Sequence, residues 1–275
     1  MARTDRFLPD ARPVPFLLDL GRDAGALALS YFRQDLDGRE KGCGGLVTEA
    51  DLAVDRRIAA RLDAASPAPV VSEEIGLEEA GQHRGGRWIV DPIDGTEAFA
   101  AGRPDFAVHV AWVDGDGPRA GMVALPAREE IWVALRGVGV WRASMEPEGP
   151  VEPCIPRDAR RRIGFAGAGL PDGHETPVRL LGLDPVIVAE ATGPALMTLL
   201  RGETRAVVRV GGARAWDLAA PELVVREAGG EVTGTDGRRR DYRAADETRK
   251  EPWVASLGPP HDDVARLTRV LAEAA

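Results

Sequence analysis

The chain is short of lysine, cysteine, tyrosine and histidine, and its shortages narrow what it can be. Of its 35 basic residues only Lys41 and Lys250 are lysine. Arginine supplies the rest, as the coding bias of a GC-rich genome would, so it is informative only at particular positions. The two cysteines, Cys43 and Cys154, stand in unlike contexts and suggest no disulfide framework. Basic charge is outnumbered: 44 acidic residues leave a formal net charge of −9. That argues against general nucleic-acid binding, which needs a basic footprint to displace counterions, yet it permits a small anionic substrate at one local site. No apolar run approaches the roughly 18–20 residues that span a bilayer. The opening M-A-R-T-D-R-F-L-P-D-A-R-P lacks the apolar stretch of a secretory signal. These features predict a cytoplasmic protein with reduced thiols and no nucleic-acid or membrane partner.

What is present is ordinary for a globular chain: 275 residues, 44% hydrophobic and 29% charged, long enough for a substantial core. Residues 14–33 carry Phe16, Leu17, Leu20, Ala24, Leu27 and Tyr31 at helical spacing. D-G-R-E-K-G-C-G-G at 37–45 predicts a loop or hairpin, and a second helix starts near Thr48, a capping residue followed by acids. Short strands follow at P-V-V-S, ending at Ser72, and R-W-I-V at 87–90, then a β-meander over 106–142. A Pro- and Glu-rich stretch at 144–160 reads as the connection between residues 1–150 and 151–275. The second half alternates strand and helix, with helices near 176–182, 194–202, 217–229 and 261–273. An antiparallel first half followed by an alternating second half predicts a layered α/β protein.

The chemistry concentrates in carboxylates at strand ends. Glu73 and Glu74 follow one strand, Asp91 and Asp94 another, and Asp217 opens a late helix. Strand ends are where α/β sheets offer side chains to a ligand crevice. Hard cations such as Mg²⁺ require oxygen ligands. Asp91 and Asp94, read as flanking a tight proline turn, could face one ion or bridge two, or could merely cap that turn. Burial-prone runs on both sides favour the functional reading, because a strand end does not otherwise carry two acids inward. Gly95 and Thr96 open a helix whose backbone N–H groups would meet a phosphate. Acids for metal beside N–H groups for phosphate is the pattern of metal-assisted phosphoester hydrolysis. The D-x-x-D-G-T spacing is one residue longer than the D-x-D-G-T of phosphatases with an aspartyl nucleophile, which argues against that class.

Four segments in order, V-T-E-A-D (47–51), S-E-E-I-G (72–76), W-I-V-D-P-I-D-G-T-E-A-F (88–99) and W-D-L-A-A-P-E-L-V-V-R-E-A-G-G (216–230), resemble the inositol monophosphatase superfamily. The resemblance implies a layered α/β/α/β/α sandwich, usually a homodimer, and a lithium-sensitive phosphatase using two to three Mg²⁺ ions on a small phosphorylated metabolite. It implies that Glu73, Asp91 and the Ile93 carbonyl hold the first ion, that Asp91, Asp94 and Asp217 hold the second, and that a third, weaker ion sits near Glu73. Thr96 with Asp51 would orient and deprotonate the attacking water, and the Gly95 and Thr96 N–H groups would bind phosphate, with no covalent intermediate. G-R-P-D-F-A-V-H-V-A-W (102–112), V-A-L-P-A-R (123–128) and V-G-G-A-R-A-W-D-L-A-A-P (210–221) resemble the CysQ-type branch, which acts on 3′-phosphoadenosine 5′-phosphate. Val210 stands where the inositol branch usually has a glutamate. Two departures from the CysQ pattern are Glu97, where Lys or Arg is common, and Gly193-Pro194-Ala195 in the sugar-binding loop. Arg209 and Arg214 are candidates for a second phosphate. The alternatives are a phosphatase of inositol, fructose bisphosphate or another sugar or nucleoside phosphate, and a silent binding relative; the latter is disfavoured because all five acids and Thr96 are present. His109 reads as a hydrogen-bonded strand residue rather than a base. Trp88 and Trp216 read as packing behind the site. His83, His174 and His261 lack metal-ligand spacing.

Overall fold

A computed structural model describes residues 12–34, 39–40, 46–65, 68–74, 86–156, 161–167, 179, 181–242, 250–258 and 261–274. Helix α1 (Pro13–Tyr31) opens on a proline, tolerated where the backbone N–H has no helical partner, and buries Leu17, Leu20, Ala24 and Ala28. Strands β1 (Arg39–Glu40) and β2 (Leu46–Val47) pair antiparallel; Cys43 lies outside the described residues. Helix α2 (Glu49–Ala65) begins with a reciprocal cap. Asp51 Oδ2 accepts the Thr48 backbone N–H at 2.8 Å and its hydroxyl at 2.6 Å, while Thr48 Oγ1 accepts the Asp51 N–H at 3.4 Å.

A seven-stranded sheet follows in chain order: β3 (Val70–Ser72), β4 (Arg87–Asp94), β5 (Ala107–Asp114), β6 (Gly117–Leu125), β7 (Glu130–Leu135), β8 (Gly139–Ser144) and β9 (Val151–Pro153). Only the β3–β4 pair is parallel. Part of the stretch expected to be a connection, 151–153, is therefore the edge strand of this sheet. The short helix α3 (Thr96–Ala100) lies between β4 and β5. A five-stranded mixed sheet has the order β11-β10-β12-β14-β13, built from β10 (Arg162–Phe165), β11 (Asp184–Ile187), β12 (Ala206–Ala213), β13 (Glu231–Gly234) and β14 (Glu251–Ser256). The remaining helices are α4 (Thr192–Leu200), α5 (Ala215–Glu227) and α6 (His261–Ala274). Most of the helix expected near 176–182 lies outside the described residues.

Three cores define the layers. Leu17, Leu20, Val54 and Ile58 of α1 and α2 pack with Val90, Val108 and Val110 on one face of the larger sheet. Ile89, Ala111 and Val113 on its other face pack with α4 and α5, which also meet Val207 and Ala255 of the smaller sheet. Val264 and Ala265 of α6 cover that sheet's outer face with Phe165 and Val208. The order is α/β/α/β/α. Strand β5 is covered on both faces, which is why F-A-V-H-V-A-W-V is almost unbroken apolar sequence rather than an alternating one. The polar exception is His109, on the α4–α5 side with Ala107 and Ala111.

Candidate active site

Asp91 and Asp94 are three residues apart, so in a regular strand they would face opposite sides of the sheet. The structure resolves this with a bulge, not with the tight turn expected from D-P-I-D. Both acids lie within β4; Asp91 pairs with His109 and Asp94 with Ala107, a register shift of one residue. The extra residue re-aims Asp94 to the same side as Asp91, and Pro92 is tolerated because a bulge leaves a ladder N–H unused. Asp217 projects from the first turn of α5, its Oδ2 accepting the Arg214 N–H at 2.7 Å. Carboxylate oxygens of Asp91, Asp94 and Asp217 thus lie within 4.8 Å of one another.

Asp94 is held from behind: Oδ1 accepts the Thr192 N–H at 3.2 Å and Oδ2 the Gly193 N–H at 2.7 Å. Burial raises the Asp94 pKa, against these two bonds and the Arg209 charge. Burial raises Asp217 too, with the Asp94 charge as the next cause. Like charges gathered in the interior require a counter-charge, and an all-carboxylate donor set suits a hard divalent cation. The residues present fit Mg²⁺. Glu73 reaches the same cleft just past β3, with Arg214 Nη1 at 3.6 Å from its Oε1. The Ser72 hydroxyl, one residue earlier, donates to the buried Asp55 carboxylate and anchors that strand end to α2.

Gly95 turns the chain from β4 into α3 at φ +88°; a Cβ there would lie 2.7 Å from Ala191 Cβ and 2.9 Å from the Asp105 carbonyl, so only glycine fits. Thr96 Oγ1 then lies 3.1 Å from Asp51 Oδ1 and 3.1 Å from the Ile93 carbonyl. A hydroxyl has one proton and so donates to one of these at a time.

The cleft brings together Glu73, Asp91, Ile93, Asp94, Gly95, Thr96, Asp217, Arg209 and Arg214. Asp51 stands behind Thr96 rather than in the wall. Gly193 and Pro194 are buried in the first turn of α4 and lie outside the cleft lining, with the Gly193 N–H already given to Asp94. Arg209 Nη1 donates to the Glu190 carbonyl at 2.6 Å and Thr192 Oγ1 at 3.3 Å, while Arg214 lies 5.5 Å over the Trp216 ring. Trp88 and Trp216 pack in the cores. Glu190 and Lys250 also line the cleft and were not anticipated, since nothing local in their sequence marks them. His109 is buried as expected; its ring nitrogens make no well-formed hydrogen bond among the described residues, and the polar groups facing the ring are the Trp216 backbone and Asp94 Oδ2, 3.5 Å from Nε2. Burial holds the imidazole uncharged, lowering its pKa to about 4 against the opposing pull of Asp217 and the Trp216 backbone.

The model of the inositol monophosphatase family matches residues 12–257. The chain belongs to that family. A 3′-phosphoadenosine 5′-phosphate phosphatase of Mycobacterium leprae is 32% identical over 239 residues, covering 83% of this chain and 83% of its own length. A Streptomyces griseus protein named glucose-1-phosphate thymidylyltransferase is 35% identical over 229 residues, 80% of this chain and 85% of its own. The crystal structure of CysQ from Bacteroides thetaiotaomicron superposes with a TM-score of 0.71 at 26% identity, covering 88% of this chain and 96% of that one. Other family relatives are named for histidinol phosphate, inositol phosphate and fructose bisphosphate hydrolysis, so membership does not itself select a substrate.

Proposed function

We propose that the protein is a Mg²⁺-dependent phosphomonoesterase that hydrolyses 3′-phosphoadenosine 5′-phosphate to AMP and phosphate. The observation that carries the reading is the convergence of Asp91, Asp94 and Asp217 beside the Thr96–Asp51 pair, in a cleft also walled by Arg209, Arg214 and Lys250. Glu73, Asp91 and the Ile93 carbonyl would hold one ion, Asp91, Asp94 and Asp217 a second, and a third would lie near Glu73. Bound Mg²⁺ supplies a more acidic water and neutralises phosphate charge. Thr96, donating its hydroxyl proton to Asp51, would orient the attacking water through a lone pair. As the water attacks, its proton would pass to Thr96 Oγ1 while the hydroxyl proton passes to Asp51, and the departing 3′ oxygen would take a proton from solvent. The N–H groups of Gly95 and Thr96 would hold the phosphoryl oxygens. Arginine and lysine in the wall favour a substrate with a second anionic group, as a nucleoside bisphosphate has.

Glu97 favours a second reading. It lines the cleft from the first turn of α3, is exposed, and takes part in no ion pair among the described residues. A carboxylate there opposes a second phosphate and favours a monophosphate bearing an amine. Phosphate release with Mg²⁺ and with EDTA, across 3′-phosphoadenosine 5′-phosphate, inositol 1-phosphate, fructose 1,6-bisphosphate and histidinol phosphate, tests both. The bisphosphate nucleotide should give the highest kcat/KM; preference for histidinol phosphate selects the second reading. Pyrophosphate release from dTTP and glucose 1-phosphate would overturn both. No helix among the described residues is long and apolar enough to cross a membrane. Homodimerisation, lithium sensitivity and a cytoplasmic location belong to the same proposal, and light scattering, lithium titration and cell fractionation check them.

A further inference from the structure

His109 is a buried polar side chain that the reaction as described does not use. It is 1% exposed, and neither ring nitrogen makes a well-formed hydrogen bond among the described residues, the Trp216 backbone being a weak partner. A buried polar ring without a well-formed hydrogen bond is costly, so its presence in an otherwise apolar strand asks for a reason. Its surroundings supply one. Directly opposed residues of an antiparallel pair project to the same face, so His109 lies beside Asp91 across the β4–β5 ladder. Its Nε2 lies 3.5 Å from Asp94 Oδ2, the oxygen that also accepts the Gly193 N–H at 2.7 Å. A Cβ on Gly193 would fall 2.3 Å from that same Nε2, so the backbone at the start of α4 rests directly on the imidazole.

We propose that His109 is a positioning residue for the metal site: its Nε2–H faces Asp94 Oδ2 and its ring seats Gly193, together fixing the plane of the Asp94 carboxylate toward the ions. A carboxylate held from behind by the Thr192 and Gly193 N–H groups, with the imidazole against it on the Gly193 side, keeps its remaining lone pairs directed into the cleft. Groups behind a metal ligand in this way set its orientation, and their removal lowers metal affinity about 10–100-fold. The inference rests on the reading of the three acids as metal ligands.

The test is calorimetric titration of Mg²⁺ into the substrate-free protein. The wild type should bind. His109→Leu, which removes the donor without crowding Gly193, should weaken binding about 10–100-fold. His109→Gln, whose amide can place an N–H near the Nε2 position, should recover most of that loss, which a merely space-filling role would not allow. Binding by His109→Leu equal to wild type, or an equal loss in both variants, overturns the proposal. Should His109→Leu fail to fold, the wild type carries the test, because the chain has four histidines and ¹⁵N-histidine labelling gives a tractable spectrum. Mg²⁺ should move the His109 Nε2 resonance; an unmoved resonance overturns the proposal. Absence of Mg²⁺ binding in the wild type overturns the metal reading itself, and this inference with it.

Discussion

Asp94→Asn separates the metal role of the acid cluster from its structural role. Asp94 accepts Thr192 N–H on one oxygen and Gly193 N–H on the other, at 3.2 and 2.7 Å. Asparagine can accept one and must turn its own NH₂ against the second, a loss of about 1–3 kcal/mol. In the opposite direction, the substitution removes a buried charge and relieves Asp217, whose pKa is raised by burial and then by Asp94. The two effects oppose, so the metal-free variant should melt within about 5 °C of wild type, at roughly 2–4 °C per kcal/mol for a chain of this size. Mg²⁺ at a hundred times its Kd should stabilise the wild type by about 2.7 kcal/mol, a Tm rise of about 5–10 °C. The variant should gain less than half of that and lose turnover. The pH dependence has a definite sign. Asp94 and Asp217 have raised folded pKa values, so their contribution to metal-free stability is present at acid pH and is lost as pH rises through those values. The Mg²⁺-induced rise should therefore be largest at neutral pH and shrink as pH falls toward the ordinary carboxylate range, where protons compete with the ion. Scanning calorimetry with Mg²⁺ or EDTA at several pH values, paired with phosphate release, measures both effects. A Mg²⁺ shift in Asp94→Asn equal to wild type, or retained turnover, would refute the reasoning.

Thr96→Ala should lower kcat about 10²–10⁴-fold, the scale of positioned acid–base help, whereas a change confined to KM would make Thr96 a binding residue only. Gly193→Ala should destabilise the fold by about 1–3 kcal/mol, because its Cβ would meet His109 Nε2 at 2.3 Å and Ala107 Cβ at 2.9 Å; an unchanged denaturant midpoint would count against that packing. Arg209→Ala should reduce kcat/KM alike for 3′-phosphoadenosine 5′-phosphate and inositol 1-phosphate, since Arg209 ties down the Glu190 carbonyl and Thr192 beside Asp94. Lys250→Ala should instead cost up to about fivefold on the bisphosphate alone, the worth of an exposed charge pair; the reverse pattern in steady-state kinetics would exchange the two roles.

The acids were legible in the sequence because carboxylates at the ends of apolar runs are costly unless they are used. The layered α/β class was legible from an antiparallel run followed by alternating elements, and the five-layer order from the family resemblance. How Asp91 and Asp94 come to share a face was not legible. D-P-I-D carries the marks of a turn, and a one-residue bulge is a property of two strands, visible only once β4 is paired with β5. The role of Gly193 was hidden for a related reason. Its local context suggested a substrate loop, but its N–H is taken by Asp94, a residue far away in the chain, and its missing side chain makes room for His109. Arg209 looked free in sequence because its partner is a backbone carbonyl, which leaves no signature. Lys250 could have drawn attention through rarity alone, as one of two lysines.

Orientation and charge are handled separately in this cleft. Asp51 is oriented by the Thr48 N–H and hydroxyl, Asp94 by the N–H groups of Thr192 and Gly193, and Asp217 by the N–H of Arg214. Each carboxylate is aimed by donors from the backbone or from its own helix cap, so its direction does not depend on a bound ion. The negative charge is a different matter, because backbone N–H groups carry no net charge, Arg214 faces Glu73, and the Arg209 charge, which favours both acids, does not outweigh their burial. Burial therefore raises the pKa of Asp94 and Asp217 despite well-formed hydrogen bonds. Geometry set in advance, with charge left over, is what a site needs in order to bind a divalent cation without reorganising. It also implies that the metal-free protein carries a strain in its stability that only a cation, or a proton at lower pH, relieves.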